Sequence, residues 1–348
     1  MKRRETKKIK VGGLYIGGDA PITIQSMTNT KTSDVEATVQ QILELEQAGC
    51  EIVRVTVNDK AAAEAIKEIK KRIHIPLVAD IHFDYKLALM AIENGIDKLR
   101  INPGNIGTID RIEAVVNAAK AKKIPIRIGV NSGSLDKEIQ ESYGVTAEGL
   151  YHSALKHIRI LESLDFYDTI VSIKASQIEM TLEAFKMLSE EVDYPFHIGI
   201  TEAGTKFKGT IKSSIGIGAL LLNGLGDTLR VSITADPVEE IPVCKEILNT
   251  LGLRTFGIKF VSCPTCGRTQ TAMIEIAEAV EKAVSHLNKE LTVAIMGCAV
   301  NGPGEAKEAD LGVACGDKTG LIFKKGEIVK KVDENSIVST LVQMIEDF

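Results

Sequence analysis

No apolar run in this 348-residue chain approaches the ~20 residues that cross a bilayer; runs such as residues 219–222 end after a few positions. A basic excess is also missing: 42 Lys and Arg stand against 47 Asp and Glu, a net charge of −5, which argues against a general nucleic-acid binder. The basic start, residues 1–10, is followed by glycines and not by an apolar core with a small-residue cleavage site, so no export is expected and a cytoplasmic location is. Six cysteines are too few for a disulfide scaffold, and clustered cysteines in a cytosolic chain suggest a metal. Low-complexity tracts, short repeats and Ser/Pro-rich linkers are absent. What remains is 44% hydrophobic and 26% charged, enough for a core and too apolar for disorder. The length suits a large barrel plus a smaller module.

Eight short apolar, β-branched runs punctuate the first 235 residues, at 21–28, 51–57, 75–83, 97–103, 124–132, 169–176, 195–201 and 228–234. Helical spacing lies between them, as in Val35, Val39, Ile42 and Leu43, or Ile109, Ile112, Val115, Val116 and Ala119. Strands alternating with helices imply a parallel sheet. Eight units in about 250 residues fit a closed (β/α)8 TIM-type barrel; an open doubly wound sheet is the alternative that the count leaves standing. The pattern changes near Thr255. A strand over 256–266 leads into a Cys-rich turn, and Met273, Ile276, Ala277, Val280, Val284 and Leu287 mark one helix stripe. Apolar stretches follow at 291–296 and 311–314, then a hairpin around Lys325-Gly326 and a closing helix over 335–348. The expected organisation is a barrel over 1–254 and an α+β module over 255–348.

Five predicted strands carry a cation between aliphatic neighbours: Arg54, Arg100, Arg127, Lys174 and Arg230. Alternation puts the aliphatics under the helices and the cations in the lumen, near its carboxyl-terminal mouth. Five converging like charges need an anion, because buried charge is costly unless paired. Asp80 and Glu202, the nearby carboxylates, are too few. A multiply anionic, phosphorylated small molecule is the natural occupant, since the planar guanidinium fork matches phosphate oxygens. His82, Asn131, Ser232 and other polar residues at strand ends sit where barrel active sites form. A basic glycine-bearing loop over 204–210 precedes a helix opening at Ser213-Ser214, a weak phosphate-cradle signal. Gly216-Ile217-Gly218 lacks the third glycine of a dinucleotide fingerprint.

Cys263-Pro264-Thr265-Cys266 brings two thiolates to one turn. Cys298 follows in a loop where Gly297, Gly302 and Gly304 let the backbone approach something bulky. Three thiolates and a fourth ligand suit zinc or an iron–sulfur cluster. Cys315 is a formal fourth candidate in a strand-like run; Glu305, inside the glycine-rich loop, is better placed. Cys50 and Cys244 read as packing residues. A cluster held by three thiolates and one carboxylate has one iron with an exchangeable oxygen ligand, which points to reductive removal of a hydroxyl. No Cys-x-x-x-Cys-x-x-Cys run occurs, which disfavours radical chemistry with S-adenosylmethionine. A phosphate- or pterin-binding barrel with structural zinc, and an iron–sulfur carrier, are the rival readings.

The segments Gln25-Ser26-Met27-Thr28-Asn29-Thr30, Ala79-Asp80-Ile81-His82-Phe83, Arg100-Ile101-Asn102-Pro103-Gly104-Asn105, Gly129-Val130-Asn131-Ser132-Gly133-Ser134, Lys174-Ala175-Ser176, Gly199-Ile200-Thr201-Glu202-Ala203-Gly204, Cys263-Pro264-Thr265-Cys266 and Asn301-Gly302-Pro303-Gly304-Glu305 run almost end to end. Together the chain resembles the bacterial 4-hydroxy-3-methylbut-2-en-1-yl diphosphate synthase family, in its short form. The resemblance implies a [4Fe–4S] cluster on Cys263, Cys266, Cys298 and Glu305. It implies substrate binding by Arg54, Arg100, Arg127, Lys174 and Arg230, assisted by Asn131, Ser232, Asp80 and His82. Glu202 is implied as the proton-transfer group, with Glu305 and Asn301 also catalytic. The implied reaction is reductive ring opening and dehydroxylation of 2-C-methyl-D-erythritol 2,4-cyclodiphosphate to (E)-4-hydroxy-3-methylbut-2-enyl diphosphate, an isoprenoid precursor. Two electrons would come from reduced ferredoxin or flavodoxin. A head-to-tail homodimer is implied, the cluster domain of one subunit closing over its partner's barrel.

Overall fold

The structure, a computed structural model, describes residues 2–269, 271–287, 289–298 and 308–348. The chain divides into two compact units, Met1–Arg254 and Thr255–Phe348.

The first unit opens with an antiparallel hairpin of β1 (Ile9–Val11) and β2 (Leu14–Ile16). Strands and helices then alternate: β3 (Thr23–Met27), α1 (Val35–Ala48), β4 (Ile52–Thr56), α2 (Lys60–Lys70), β5 (Leu77–Asp80), α3 (Tyr85–Glu93), β6 (Lys98–Ile101), α4 (Pro103–Ile106) and α5 (Ile109–Lys122). The second half continues with β7 (Ile126–Asn131), α6 (Lys137–Tyr143), α7 (Ala147–Ser163), β8 (Thr169–Lys174), α8 (Ile178–Glu191), β9 (His197–Ile198), α9 (Lys206–Leu222), β10 (Thr228–Leu229) and α10 (Glu240–Thr250). Strands β3 to β10 are parallel in the order β8-β7-β6-β5-β4-β3-β10-β9. A parallel bridge between Val171 and Phe196 brings β8 to β9 and closes the ring. The barrel therefore prevails over the open sheet. Local chemistry agrees with the topology. Asp34, Asp59 and Asp84 cap α1, α2 and α3, each carboxylate accepting a first-turn N–H from Ala37, Ala62 and Lys86. Outward aliphatics such as Val53, Val55, Leu99 and Ile101 are buried beneath the helices.

Three features depart from the sequence reading. The β1–β2 hairpin was not expected, because three-residue strands give too short an alternation to register. Its Ile9, Val11 and Ile16 pack on Ile52, Val78 and Ile170, closing the amino-terminal end of the barrel. Helix α9 begins at Lys206, so Ser213 and Ser214 lie inside it and do not open it. Gly209 serves packing there, since a Cβ would come within 2.8 Å of the Gly204 carbonyl and of Ile233. Strands β9 and β10 are two residues long. The chain leaves the ladder at Gly199, where a Cβ would stand 2.6 Å from the Arg230 carbonyl oxygen.

The second unit comprises β11 (Lys259–Ser262), α11 (Met273–Val284), β12 (Thr292–Met296), β13 (Leu311–Gly316), β14 (Thr319–Lys324), β15 (Glu327–Asp333) and α12 (Ile337–Glu346). Its sheet runs β11-β12-β13-β14-β15, the first three strands parallel and the last two antiparallel. The expected helix stripe, Ile276, Val280 and Val284, packs with Leu341 and Ile345 of α12 on Val293, Ile295, Val313 and Ile322.

Candidate active site

The strand register places the charged side chains. Arg54 stands opposite Met27 and Val78, and Arg100 stands opposite Asp80 and Arg127. At the carboxyl ends of the strands lies a cavity of about 650 Å³. Arg54, Asp80, His82, Arg100, Asn131, Lys174, Glu202, Arg230 and Ser232 all line it. Met27, Thr56, Thr201 and the turn at Ser132–Ser134 complete the wall.

Arg127 differs from the other four strand cations. It is the second residue of β7, whereas Lys174 ends β8, so it lies four residues below Asn131 on the same strand. Its side chain is fully buried, and none of its three guanidinium nitrogens has a hydrogen-bond partner among the described residues. The sequence reading treated the five cations as equivalent; their positions along the strands separate four at the wall from one in the tier below. That lower tier also holds Lys98 and His197, both fully buried, with Lys98 Nζ donating to Gln25 Oε1 at 3.2 Å. Lys98 precedes Arg100 by two residues, so the same alternation would have revealed it.

Two carboxylates pair with the wall cations. Asp80 Oδ1 accepts from Arg100 Nη1 at 3.0 Å, and Asp80 Oδ2 lies 3.5 Å from Arg54 Nε. Burial alone would raise the Asp80 carboxyl, but Arg54, Arg100 and Arg127 outweigh it and hold it down to about 2. Arg230 goes to a residue that the sequence reading missed. Its Nε and Nη2 donate to Glu240 Oε2 and Oε1 at 3.1 and 3.0 Å. Glu240 is buried at the start of α10, next to Glu239, where a glutamate at a helix start gives no sequence signal of a role at the mouth. Burial, with Arg230 and Arg100 as like charges, brings Arg54 down to about 10 despite Asp80. Burial and then Arg54, Arg230, Arg127 and Arg100 push Lys174 well below the usual lysine range. The site thus carries more buried positive charge than it neutralises.

Two backbone details position these groups. Gly129 lies against Arg100: a Cβ would meet its Nε at 2.4 Å and Nη2 at 2.6 Å. Glu202 adopts a left-handed φ of 54°, uncommon outside glycine, at the rim of the cavity. Among the described residues its carboxylate has no ion pair; only its backbone carbonyl is engaged, by Lys212 Nζ at 3.3 Å.

In the second unit, Cys263 follows β11 and Cys298 follows β12 at the same end of two paired parallel strands. Cys263 Sγ accepts the Gly297 N–H at 3.1 Å, so the chain carrying Cys298 runs beside the first thiol. The backbone N–H and side chain of Arg268 hold the exposed Cys266 thiol below its ordinary range. Donors aimed at sulfur favour thiolates, and this set fits a soft metal centre. Among the described residues no three His, Cys, Asp or Glu side chains already converge as a metal site. Asn301 and Glu305 lie outside the described residues. Cys315 is buried in the core between sheet and helices, and burial raises its thiol. Cys50 and Cys244 are buried in the barrel unit, and burial pushes Cys50 up to about 12.

A (β/α)8 barrel with a cation-rich carboxyl-terminal mouth belongs to the class of barrel enzymes built for a multiply anionic small molecule. The GcpE TIM-barrel domain matches residues 6–245, and the GcpE protein C-terminal domain matches 259–347. The 4-hydroxy-3-methylbut-2-en-1-yl diphosphate synthase (flavodoxin) of Clostridium perfringens is 59% identical over 347 residues, covering 99% of both chains. The protein of that name from Ruminiclostridium cellulolyticum is 58% identical over 348 residues, covering 100% of this chain and 99% of the relative. The chain belongs to the 4-hydroxy-3-methylbut-2-en-1-yl diphosphate synthase family. Among solved structures, dihydropteroate synthase from Stenotrophomonas maltophilia superposes with a TM-score of 0.52 at 12% identity, covering 72% of this chain and 100% of its own. Sialic acid synthetase from Leptospira borgpetersenii gives 0.51 at 15% identity, covering 72% and 91%. These two share the fold alone.

Proposed function

We infer that this chain reductively opens and dehydroxylates 2-C-methyl-D-erythritol 2,4-cyclodiphosphate to (E)-4-hydroxy-3-methylbut-2-enyl diphosphate, with reduced flavodoxin as electron donor. The observation that carries the reading is the surplus of cations at the mouth: the buried Arg54 and Arg100 and the half-buried Lys174 and Arg230 at the wall, against Asp80, Glu240 and the exposed Glu202. A cyclic diphosphate supplies the missing negative charge. The four wall cations, with Asn131 and Ser232, bind its phosphate oxygens, and Arg127 reinforces them from the tier below. They also stabilise charge on the phosphate oxygen that departs when the ring opens. His82 and Asp80 orient the bound ring. Glu202, a carboxylate at the rim with no ion pair among the described residues, transfers the proton at the carbon skeleton.

Cys263, Cys266 and Cys298 with Glu305 hold a [4Fe–4S] cluster in this reading, and Asn301 assists catalysis. When bound, the cluster supplies single electrons and a Lewis-acidic iron for removal of a hydroxyl. A head-to-tail homodimer belongs to the same reading. The test is anaerobic turnover of the cyclodiphosphate with reduced flavodoxin, the product identified by mass. A colourless, zinc-containing protein that binds the substrate without reducing it would reject the assignment.

A further inference from the structure

The proposed reaction leaves the Gln25–Thr30 segment unused, and Ser26 within it makes a contact that bears on the site. Ser26 alternates with Gln25 and Met27 on β3, and Met27 lines the cavity, so Ser26 faces the outer side of the barrel wall. Its Oγ donates to Glu240 Oε2 at 2.8 Å, in a fully buried contact. Glu240 in turn takes the Nε and Nη2 edge of Arg230 at 3.1 and 3.0 Å. Glu240 is not part of the cavity wall, whereas Arg230 is. A two-point contact fixes the plane of a guanidinium as well as its position. With the Nε edge engaged behind the wall, Nη1 is left toward the Met27 side, 3.5 Å from its sulfur. Arg54 and Arg100 are handled differently: they share Asp80, which itself faces the cavity.

We propose that Glu240, held by Ser26, is a positioning residue that aims the Nη1 edge of Arg230 at the substrate's diphosphate. The proposal rests on the function inferred above and adds a residue to it. It separates from a simple charge-balancing role by sign. If Glu240 only neutralised Arg230, its replacement by Gln would leave the mouth more positive and tighten anion binding. If it aims Arg230, the same change frees the guanidinium to rotate and weakens binding.

The experiment measures inorganic pyrophosphate affinity by calorimetry, and KM and kcat for the cyclodiphosphate, on the anaerobic holoenzyme. Glu240→Gln should weaken pyrophosphate binding about tenfold and raise KM to a similar degree, with kcat changed less than about threefold. Glu240→Asp keeps the charge and shortens the reach, so it should fall in the same direction. Ser26→Ala should show a smaller loss. In an Arg230→Lys background, Glu240→Gln should add no further loss. Tighter binding in Glu240→Gln, a wild-type Glu240→Asp, or an undiminished effect in the Arg230→Lys background would each overturn the proposal. If Glu240→Gln fails to fold, Glu240→Asp and Ser26→Ala still decide. A wild-type enzyme that binds neither pyrophosphate nor the cyclodiphosphate indicts the functional reading itself and takes this role down with it; a wild type that binds both confines any failure to Glu240.

Discussion

A side chain as small as one methyl group separates a working Arg100 from a displaced one. Gly129 is needed because the Arg100 guanidinium occupies the space of its missing Cβ. Gly129→Ala should therefore shift Arg100 and lower kcat/KM by about 100-fold, mainly through KM, while the iron-dependent absorbance stays unchanged. Unaltered KM in steady-state assays would mean that Arg100 does not hold substrate. Glu202→Gln makes the opposite split. It keeps the shape of the rim and removes the proton carrier, so kcat should fall by about 100-fold or more with pyrophosphate affinity preserved. Full turnover would take Glu202 out of the proton step. Most wall residues were legible in the sequence because period-two alternation puts Arg54, Arg100, Lys174 and Arg230 inward whatever the exact register. Depth along the barrel axis was not legible: it depends on the stagger of the tilted strands, which leaves Arg127 buried below the wall although it pairs with Arg100 in the ladder. Glu240 was hidden for a different reason, since its role exists only where α10 meets Arg230 and Ser26 from distant parts of the chain.

At the scale of elements, the helices carry titratable groups in apolar surroundings. His157 on α7 is almost fully buried, its Nδ1 has no partner among the described residues, and burial holds it down to about 4, from an ordinary 6.5. A base whose folded value is lowered binds fewer protons in the native state than in the unfolded chain. Its contribution is therefore complete above pH 6.5 and is lost as pH falls towards 4. His197, pushed down by burial and by Arg127 and Lys174, acts in the same direction. Urea unfolding at pH 7 and pH 4.5 should show the wild type weakening on acidification, and His157→Met should make that dependence shallower. Identical pH dependences in the two proteins would remove His157 from the account. Long strands and amphipathic helices were readable because their periods repeat several times. The β1–β2 hairpin was not, because three residues contain no period; β9 and β10 fall inside the expected runs 195–201 and 228–234 and are only shorter than those runs.

At the scale of the molecule, every residue assigned to the anion belongs to one compact unit and every described thiol assigned to the metal belongs to the other. The two duties should be separable. Cys263→Ser should abolish iron content and turnover while leaving pyrophosphate affinity within about twofold. Loss of both together, in a protein with unchanged thermal unfolding of the barrel, would contradict that division. The hairpin carries a further consequence. With Ile9, Val11 and Ile16 seated as a stopper on Ile52, Val78 and Ile170, nothing passes straight through the barrel. Arrival and departure share one doorway, so each product molecule must vacate before its successor enters, and in calorimetric titrations of one redox form of the enzyme product and substrate should exclude each other.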